Sequence, residues 1–322
     1  MNERPAAPLH VIAENAERVL AEVQTVVVGM EEALSTALAA VLAGGHVLFE
    51  DLPGLGKTVA ARSLAGALGL DFTRLQCTPD LLPADVTGSY VWDPATREFS
   101  FRRGPVFTGL LLADEINRTS PRTQSALLEA MAEGQVSAEG TTFALPHPFH
   151  VIATSNPVEL EGTFPLPEAQ LDRFMVRLSV GYLPEDEEAR ILAQRVSRRM
   201  EATSVRSVVT AEEVSAMQAG VEAIDVDPDV TRYIVRLAAA TRSHPDVEVG
   251  VSPRGTQALL LLARARAAMA GRDYITPDDV HALAVPALAH RLTLTARAWA
   301  SGVDGASVIS TALETVPVPA LS

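Results

Sequence analysis

The sequence predicts an α/β domain built on a parallel sheet with two β-hairpin inserts, followed by a smaller all-helical domain. Three observations carry that prediction. Short, purely apolar runs such as Leu110 to Ala113 alternate with helical patterns through the first half. A strand, a glycine loop and a helix follow one another between Val47 and Leu68. Three helix starts of one kind, Asp227-Pro228, Ser252-Pro253 and Thr276-Pro277, punctuate the second half.

The first half reads in order as follows. Residues 9–42 form two helices around a Val26-Val27-Val28-Gly29 break. Val47 to Phe49 is a buried strand, Lys57 to Leu68 a helix stopped by Gly69, and Phe72 to Leu75 a strand. Residues 86–102 place β-prone runs on either side of Asp93-Pro94-Ala95-Thr96, a hairpin signal. Leu110 to Ala113 is a strand covered on both faces. Gln124 to Ala132 is helical, and a second hairpin turns at Glu139-Gly140. Phe149 to Thr154 is another buried strand, Glu168 to Phe174 a short helix, and Met175 to Val180 the last strand. After Pro184 the chain becomes helical to nearly the end, with a capping box at Thr210 and Glu213. The boundary is placed near Leu183, giving domains of residues 1–183 and 184–322.

Composition limits the function classes. With 322 residues, 48% of them apolar, the chain can bury a sizeable core. A net charge of −14 disfavours wrapping a nucleic acid, whose affinity comes largely from Lys and Arg on phosphates, although a local basic patch stays open. Cys77 is the only cysteine, so no intrachain disulfide forms and a reducing compartment fits. MNERPAAPLH carries no basic-then-apolar signal. The longest apolar run is broken at Gly44, Gly45 and His46, too short to span a bilayer. The reading is a soluble cytoplasmic protein. Its histidines are scattered without metal-ligand spacing.

The chemistry gathers in a few motifs. Pro53-Gly54-Leu55-Gly56-Lys57-Thr58-Val59, between strand and helix, has the form of a phosphate-cradling loop. Glycines let backbone N–H groups curve around phosphate, and the helix N-terminus favours the anion. Lys57 would reach the terminal phosphates and the Thr58 hydroxyl would ligate Mg²⁺. Asp51 stands where the usual pattern has its first glycine, on the outer edge of the turn, a position an aspartate tolerates. Lys57 is the only lysine in the chain. Arginine serves wherever a solvated positive charge suffices, but a planar guanidinium fits a tight phosphate cradle poorly. The one lysine therefore marks the site.

LLLADEINR ends a buried strand in adjacent carboxylates: Asp114 would hold the Mg²⁺ hydration shell and Glu115 would polarise the attacking water. VIATSNP places Asn156 at the end of another strand, where it can orient water or touch the γ-phosphate, or simply cap a loop. Arg173 in QLDRF can stabilise a transferring phosphoryl group, in cis or in trans, or pair with Asp172 or Glu168. Arg254 lies in the first turn of a helix, against the helix dipole, which suggests a ligand anion nearby.

In this order these elements resemble an AAA+ ATPase. EDLPGLGKT, GSYVWDPATREFSFRRGPVF, LLLADEINRTSPRTQSALLEAMAEGQV, VIATSNPVELEGTFPLPEAQLDRF and SPRGTQALLLLARA narrow the likeness to the MoxR family, over nearly the whole chain. The resemblance implies an AAA+ core and a helical lid, with ATP and Mg²⁺ as cofactors. It makes Lys57 and Thr58 the Walker A pair, Asp114 and Glu115 the Walker B pair and Asn156 sensor 1. Arg173 becomes an arginine finger acting on a neighbouring subunit, Arg254 becomes sensor 2, and Val28-Gly29 would lie beside the adenine. It implies ring hexamers that remodel or mature client proteins, often with a von Willebrand A domain partner. A chelatase-type metal-insertion ATPase is the alternative. A DNA-associated motor, kept open by Arg97, Arg102 and Arg103, is less favoured, as is a nucleotide-gated scaffold.

Overall fold

The computed structural model describes residues 5–158, 162–198 and 204–320. Residues 1–4, part of the opening stretch read for a signal segment, and residues 159–161, inside the Asn156 block, lie outside the described residues. Helices α1 (Leu9–Gln24) and α2 (Glu31–Leu42) precede β1 (Val47–Glu50), which runs through the glycine loop into α3 (Lys57–Ala67). Then come β2 (Phe72–Gln76), α4 (Pro83–Thr87) and the hairpin β3 (Gly88–Asp93) and β4 (Glu98–Arg103). β5 (Leu110–Asp114), α5 (Pro121–Glu133) and the hairpin β6 (Gln135–Ala138) and β7 (Thr141–Ala144) follow. β8 (His150–Ser155), α6 (Glu168–Leu171) and β9 (Val176–Leu178) complete the first half.

The main sheet is parallel, ordered β2-β5-β8-β1-β9, and the hairpins stand outside it as separate ribbons. Its central strands β1, β5 and β8 are covered on both faces, so Val47–Phe49, Leu110–Ala113 and Val151–Ala153 are apolar, while the edge strand β2 keeps Thr73, Arg74 and Gln76. In β5, Leu110 and Leu112 join one apolar cluster while Leu111 and Ala113 join the other; in β8, Ile152 takes the first side and Val151 and Ala153 the second. Each fully buried leucine contributes on the order of 2 kcal/mol.

The second half contains α7 (Glu185–Arg198), α8 (Ala211–Val221), α9 (Pro228–Arg242), β10 (Val247–Val249), α10 (Pro253–Met269) and α11 (Pro277–Leu288). A 3₁₀ turn at Ala289–Arg291, β11 (Thr293–Leu294), α12 (Ala296–Ala300) and α13 (Gly305–Thr315) end it. The capping box at Thr210 forms, and Asp227 and Ser252 accept from backbone N–H groups of the helices they start. The second half is helical but not purely so. β10 pairs antiparallel with β11, because Val247 and Val249 flank Glu248 with a strand period too short to stand out in the sequence. α6 stops at Leu171, and β9 is shorter than the run read from 175 to 180. No helix among the described residues is long and apolar enough to cross a membrane.

Division along the chain is not division of the core. One apolar cluster holds Ile12, Val19 and Leu38 of the leading helices together with Val214, Leu259, Leu262 and Val280 of the helical half. Gln218 of α8 donates to the Val41 carbonyl (2.8 Å) and lies 3.0 Å from Nε2 of His150, fastening α8 to the sheet.

Buried histidines line the N-terminal edge of that sheet. His46 accepts from the Val151 N–H (3.0 Å) through Nδ1 and faces the Met131 carbonyl (3.2 Å) through Nε2. His150 Nδ1 lies 2.9 Å from the Gly45 carbonyl. Burial pushes His46 down to about 3 and His150 down to about 4, so both stay neutral in the folded chain. The unfolded chain takes up protons near the ordinary 6.5, so stability is intact above that pH and declines below it. At pH 5 the loss is about 2 kcal/mol for each histidine. Urea unfolding at pH 7.5 and at pH 5 should show the midpoint falling; an unchanged midpoint would contradict this account of the edge.

Candidate functional site

Parallel strands deliver their C-terminal ends to one edge. Since β5, β8 and β1 are neighbours, the segments that follow them meet there. A cavity of about 320 Å³ is lined by Pro53 to Val59 after β1, Asp114 and Glu115 at the end of β5, and Thr154, Ser155 and Asn156 around the end of β8. A larger cavity between α1 and the α10–α11 region has Arg272 and Asp279 in its wall, but those charges already neutralise each other across 2.6 Å.

Gly54 (φ 82°) and Gly56 (φ 79°) hold left-handed backbone, which glycine adopts without steric cost. That geometry turns the loop into α3 and leaves its N-terminal backbone N–H groups without helical partners. Lys57 is buried, and its Nζ donates to the Asp51 carbonyl at 2.7 Å. Burial lowers its pKa, while Asp51, Asp114 and Glu115 pull it back up. A carbonyl, not a carboxylate, holds the ammonium, so its charge remains available to an anion. The Thr58 hydroxyl lies 3.5 Å from Asp114 Oδ2.

The acid pair is held by residues the sequence reading passed over. Thr154, buried on β8, donates its hydroxyl to Asp114 Oδ1 (2.7 Å) and accepts the Glu115 N–H (2.8 Å). Glu115 has φ 58° and ψ 51°, a left-handed conformation that costs a non-glycine residue about 1–3 kcal/mol and that the Thr154 bond helps retain. From β2, Arg74 donates to Asp114 Oδ2 through Nε (3.0 Å) and Nη2 (2.6 Å). Gln76 accepts from Arg74 (2.7 Å) and donates to Glu115 Oε2 (2.9 Å). Gln76 stands opposite Asp114 in the β2–β5 register, so the contact follows from strand pairing. The alternation of FTRLQ puts Arg74 and Gln76 on one face, which was the available signal; which strand they would face was not.

Asp51 is corrected. It does not sit on the outer edge of the turn but is 5% exposed. Its Oδ2 accepts from the N–H groups of Val180 (2.5 Å) and Gly181 (2.8 Å), and Oδ1 accepts from Leu52 (2.8 Å). Burial alone would raise its pKa, but these donors and Lys57 hold it below the usual value. A carboxylate in place of glycine thus anchors the phosphate loop to the segment leaving the sheet after β9.

Other candidate residues do not line the cavity. Val28 is buried and Gly29 packs against the second half: a Cβ on Gly29 would come within 2.0 Å of Glu187 Oε2 and 2.6 Å of Leu183 Cδ2. Arg173 immediately precedes Phe174 and β9, and β9 runs parallel to β1 with Val176 opposite Val47. Arg173 is therefore at the N-terminal edge, while the glycine loop leaves the C-terminal edge, a strand's length of about 13 Å away. It donates to the Leu128 carbonyl, and its neighbour Asp172 pairs with Arg291 (2.7 Å). Arg254 is exposed in the first turn of α10, next to Gly255, where a Cβ would come within 2.9 Å of Arg291 Cδ; Arg291 bonds the Phe174 and Met175 carbonyls, which puts Arg254 at that same N-terminal edge.

Asp51→Ala should strand the N–H groups of Val180, Gly181 and Leu52 and cost about 2–3 kcal/mol. Urea unfolding should show the lowered midpoint, with Asp51→Asn between it and wild type; a wild-type midpoint in the alanine variant would contradict the anchoring role.

Comparison with known proteins agrees with this arrangement. A family model described as "ATPase family associated with various cellular activities (AAA)" matches residues 46–176, and one described as an AAA lid domain matches residues 239–312. The uncharacterised protein YeaC of Bacillus subtilis is 47% identical, covering 92% of this chain and 92% of its own. Chaperone MoxR1 of Mycobacterium tuberculosis is 38% identical, covering 98% of this chain and 84% of its own. The crystal structure of a candidate ATPase from Cytophaga hutchinsonii matches with a TM-score of 0.90 at 37% identity, over 97% of both chains. With the glycine loop and acid pair inside the first matched segment, and MoxR1 similar along nearly the full length, this chain belongs to the MoxR family of AAA+ ATPases.

Proposed function

We propose that the chain hydrolyses ATP with Mg²⁺ at interfaces between copies of itself, assembled as a ring, a hexamer by family likeness, and uses the cycle to remodel client proteins. The observation that carries this reading is the separation of parts. The phosphate loop and acid pair share one edge of the sheet; Arg173 and Arg254 share the other. An arginine at the far edge serves only the pocket of an adjacent copy. The proposed core spans residues 1–183 and the lid residues 184–322, in a cytoplasmic protein.

The residues fit the cofactors. The Gly54–Gly56 loop and Lys57 provide donors for phosphate, and Thr58 with Asp114 provides hard oxygen ligands. No cluster of three or more His, Cys, Asp or Glu among the described residues could hold a metal by itself. Thr58 and Asp114 would therefore hold Mg²⁺ together with phosphate oxygens and water. Once bound, Mg²⁺ would offset charge on the β- and γ-phosphates. Arg74 occupies Asp114 Oδ2, so Asp114 must turn from Arg74 or meet the ion through water. Glu115 would take the proton of the attacking water, and Asn156 would orient that water. Arg173 and Arg254 of the next copy would stabilise the charge spreading over the departing phosphoryl oxygens.

Client handling belongs to the hairpins. Trp92 and Phe99 pair edge to face near the tip of the first ribbon and are 49% and 67% exposed. They offer an apolar contact to a partially unfolded client. Chaperone MoxR1 and this chain would share that kind of work, and a von Willebrand A domain protein is the proposed partner.

Glu115→Gln removes the proton acceptor and leaves Lys57, Thr58 and the loop in place. It should bind nucleotide within a few-fold of wild type and lose about 10²–10⁴-fold in phosphate release. Fluorescent-nucleotide binding and phosphate release measured on the same sample test this; near-normal turnover would contradict the role of Glu115.

A further inference from the structure

The edge of the sheet that carries Arg173 and Arg254 is built around a third arginine that no motif singled out. Arg291 lies in the 3₁₀ turn after α11, with only 3% of its side chain exposed. Its Nε donates to Asp172 Oδ1 at 2.7 Å. Its Nη2 donates to the Phe174 carbonyl (2.9 Å) and the Asp172 carbonyl (3.3 Å). Its Nη1 donates to the Met175 carbonyl (3.2 Å) and to the Ala287 carbonyl. The neighbouring His290 adds a contact from Nε2 to the Phe174 carbonyl at 3.0 Å. The peptide groups on both sides of Arg173 are thus gripped from more than a hundred residues away, by the helical half.

The same guanidinium stem sets Arg254. Gly255 packs so close that a Cβ there would come within 2.9 Å of Arg291 Cδ. The first turn of α10 therefore rests on Arg291, with Arg254 one residue earlier. Met175 closes the frame on the sheet side, its N–H donating to the His46 carbonyl at 2.8 Å.

We infer that Arg291, with Asp172, is the positioning residue that fixes Arg173 and Arg254 relative to each other, so that the two are presented to an adjacent copy as one rigid unit. The inference rests on the reading that these arginines act in trans, and it adds a mechanical consequence. The helical half and the Arg173 segment of one chain move as one body. Arginine is required at position 291 because a rigid fork spreads donors over a carboxylate and several carbonyls, which one ammonium cannot do.

Complementation between variants tests the assignment, because a positioning defect at this edge must behave as a loss of Arg173 and not as a loss of the pocket. Arg291→Lys should lower kcat at least tenfold and keep KM within threefold, since none of these groups lines the cavity. Mixed with Lys57→Ala, which has a dead pocket and an intact far edge, it should regain activity. Mixed with Arg173→Ala, it should not. Asp172→Asn should fall into the same complementation group with a milder loss, which keeps the test decisive if the Arg291 variant does not fold. Turnover within twofold of wild type in both variants, or no rescue by Lys57→Ala in mixed assemblies seen by native mass spectrometry, would overturn the inference. The pair Arg173→Ala with Lys57→Ala is the reference. If that pair fails to rescue, the trans reading is wrong; if it rescues and the Arg291 and Asp172 variants do not, only the positioning role is wrong.

Discussion

A parallel sheet has two chemically different edges, and the parts of this molecule are sorted between them. At the C-terminal edge strands end and loops begin, so backbone N–H groups of the glycine loop, the Lys57 ammonium and the Asp114–Glu115 carboxylates converge there. At the N-terminal edge chains enter the sheet, and there stand Arg173, Arg254 and Arg291. A strand of four residues cannot be crossed by a side chain. In the proposed trans reading, those far-edge cations would serve the pocket of an adjacent copy, since the chain's own pocket is out of their reach.

Each edge is made rigid by buried polar bonds and not by apolar packing alone. Thr154 holds the Asp114 carboxylate and the Glu115 backbone N–H through one hydroxyl, and Asp51 ties the loop to Val180 and Gly181. Arg291 does the equivalent at the other edge, where neutral His46 and His150 complete the frame. Buried polar groups of this kind are costly when one partner is lost and so specify a single arrangement. The contacts at Asp114 suggest where mobility remains. Arg74, 45% exposed at its side chain, is weakly held by solvent-screened pairing and can give way, and Gln76 links it to Glu115.

The sequence disclosed what is local and concealed what depends on pairing. Lys57, Thr58 and the two glycines are legible because loop and helix are contiguous, and the solitary lysine sharpened the reading. The N-caps at Asp227 and Ser252 are equally local. Arg254 stood out because a cation in a first helical turn opposes the helix dipole. Arg74, Gln76 and Thr154 were invisible as site residues, since only the order β2-β5-β8 brings them to Asp114. Asp51 was misjudged for the same reason: its acceptors serve residues 180 and 181, which no pattern around position 51 announces. Arg291 lay in an unremarkable AHR turn whose partners are more than a hundred residues distant.

The central claim is that one chain holds half of two catalytic sites and no complete one. Turnover per subunit, measured across a dilution series alongside the assembly state by mass photometry, tests it most directly. The account predicts that turnover per subunit falls in step with dissociation while monomers still bind nucleotide. A turnover per subunit that stays constant down to fully dissociated monomers would contradict it.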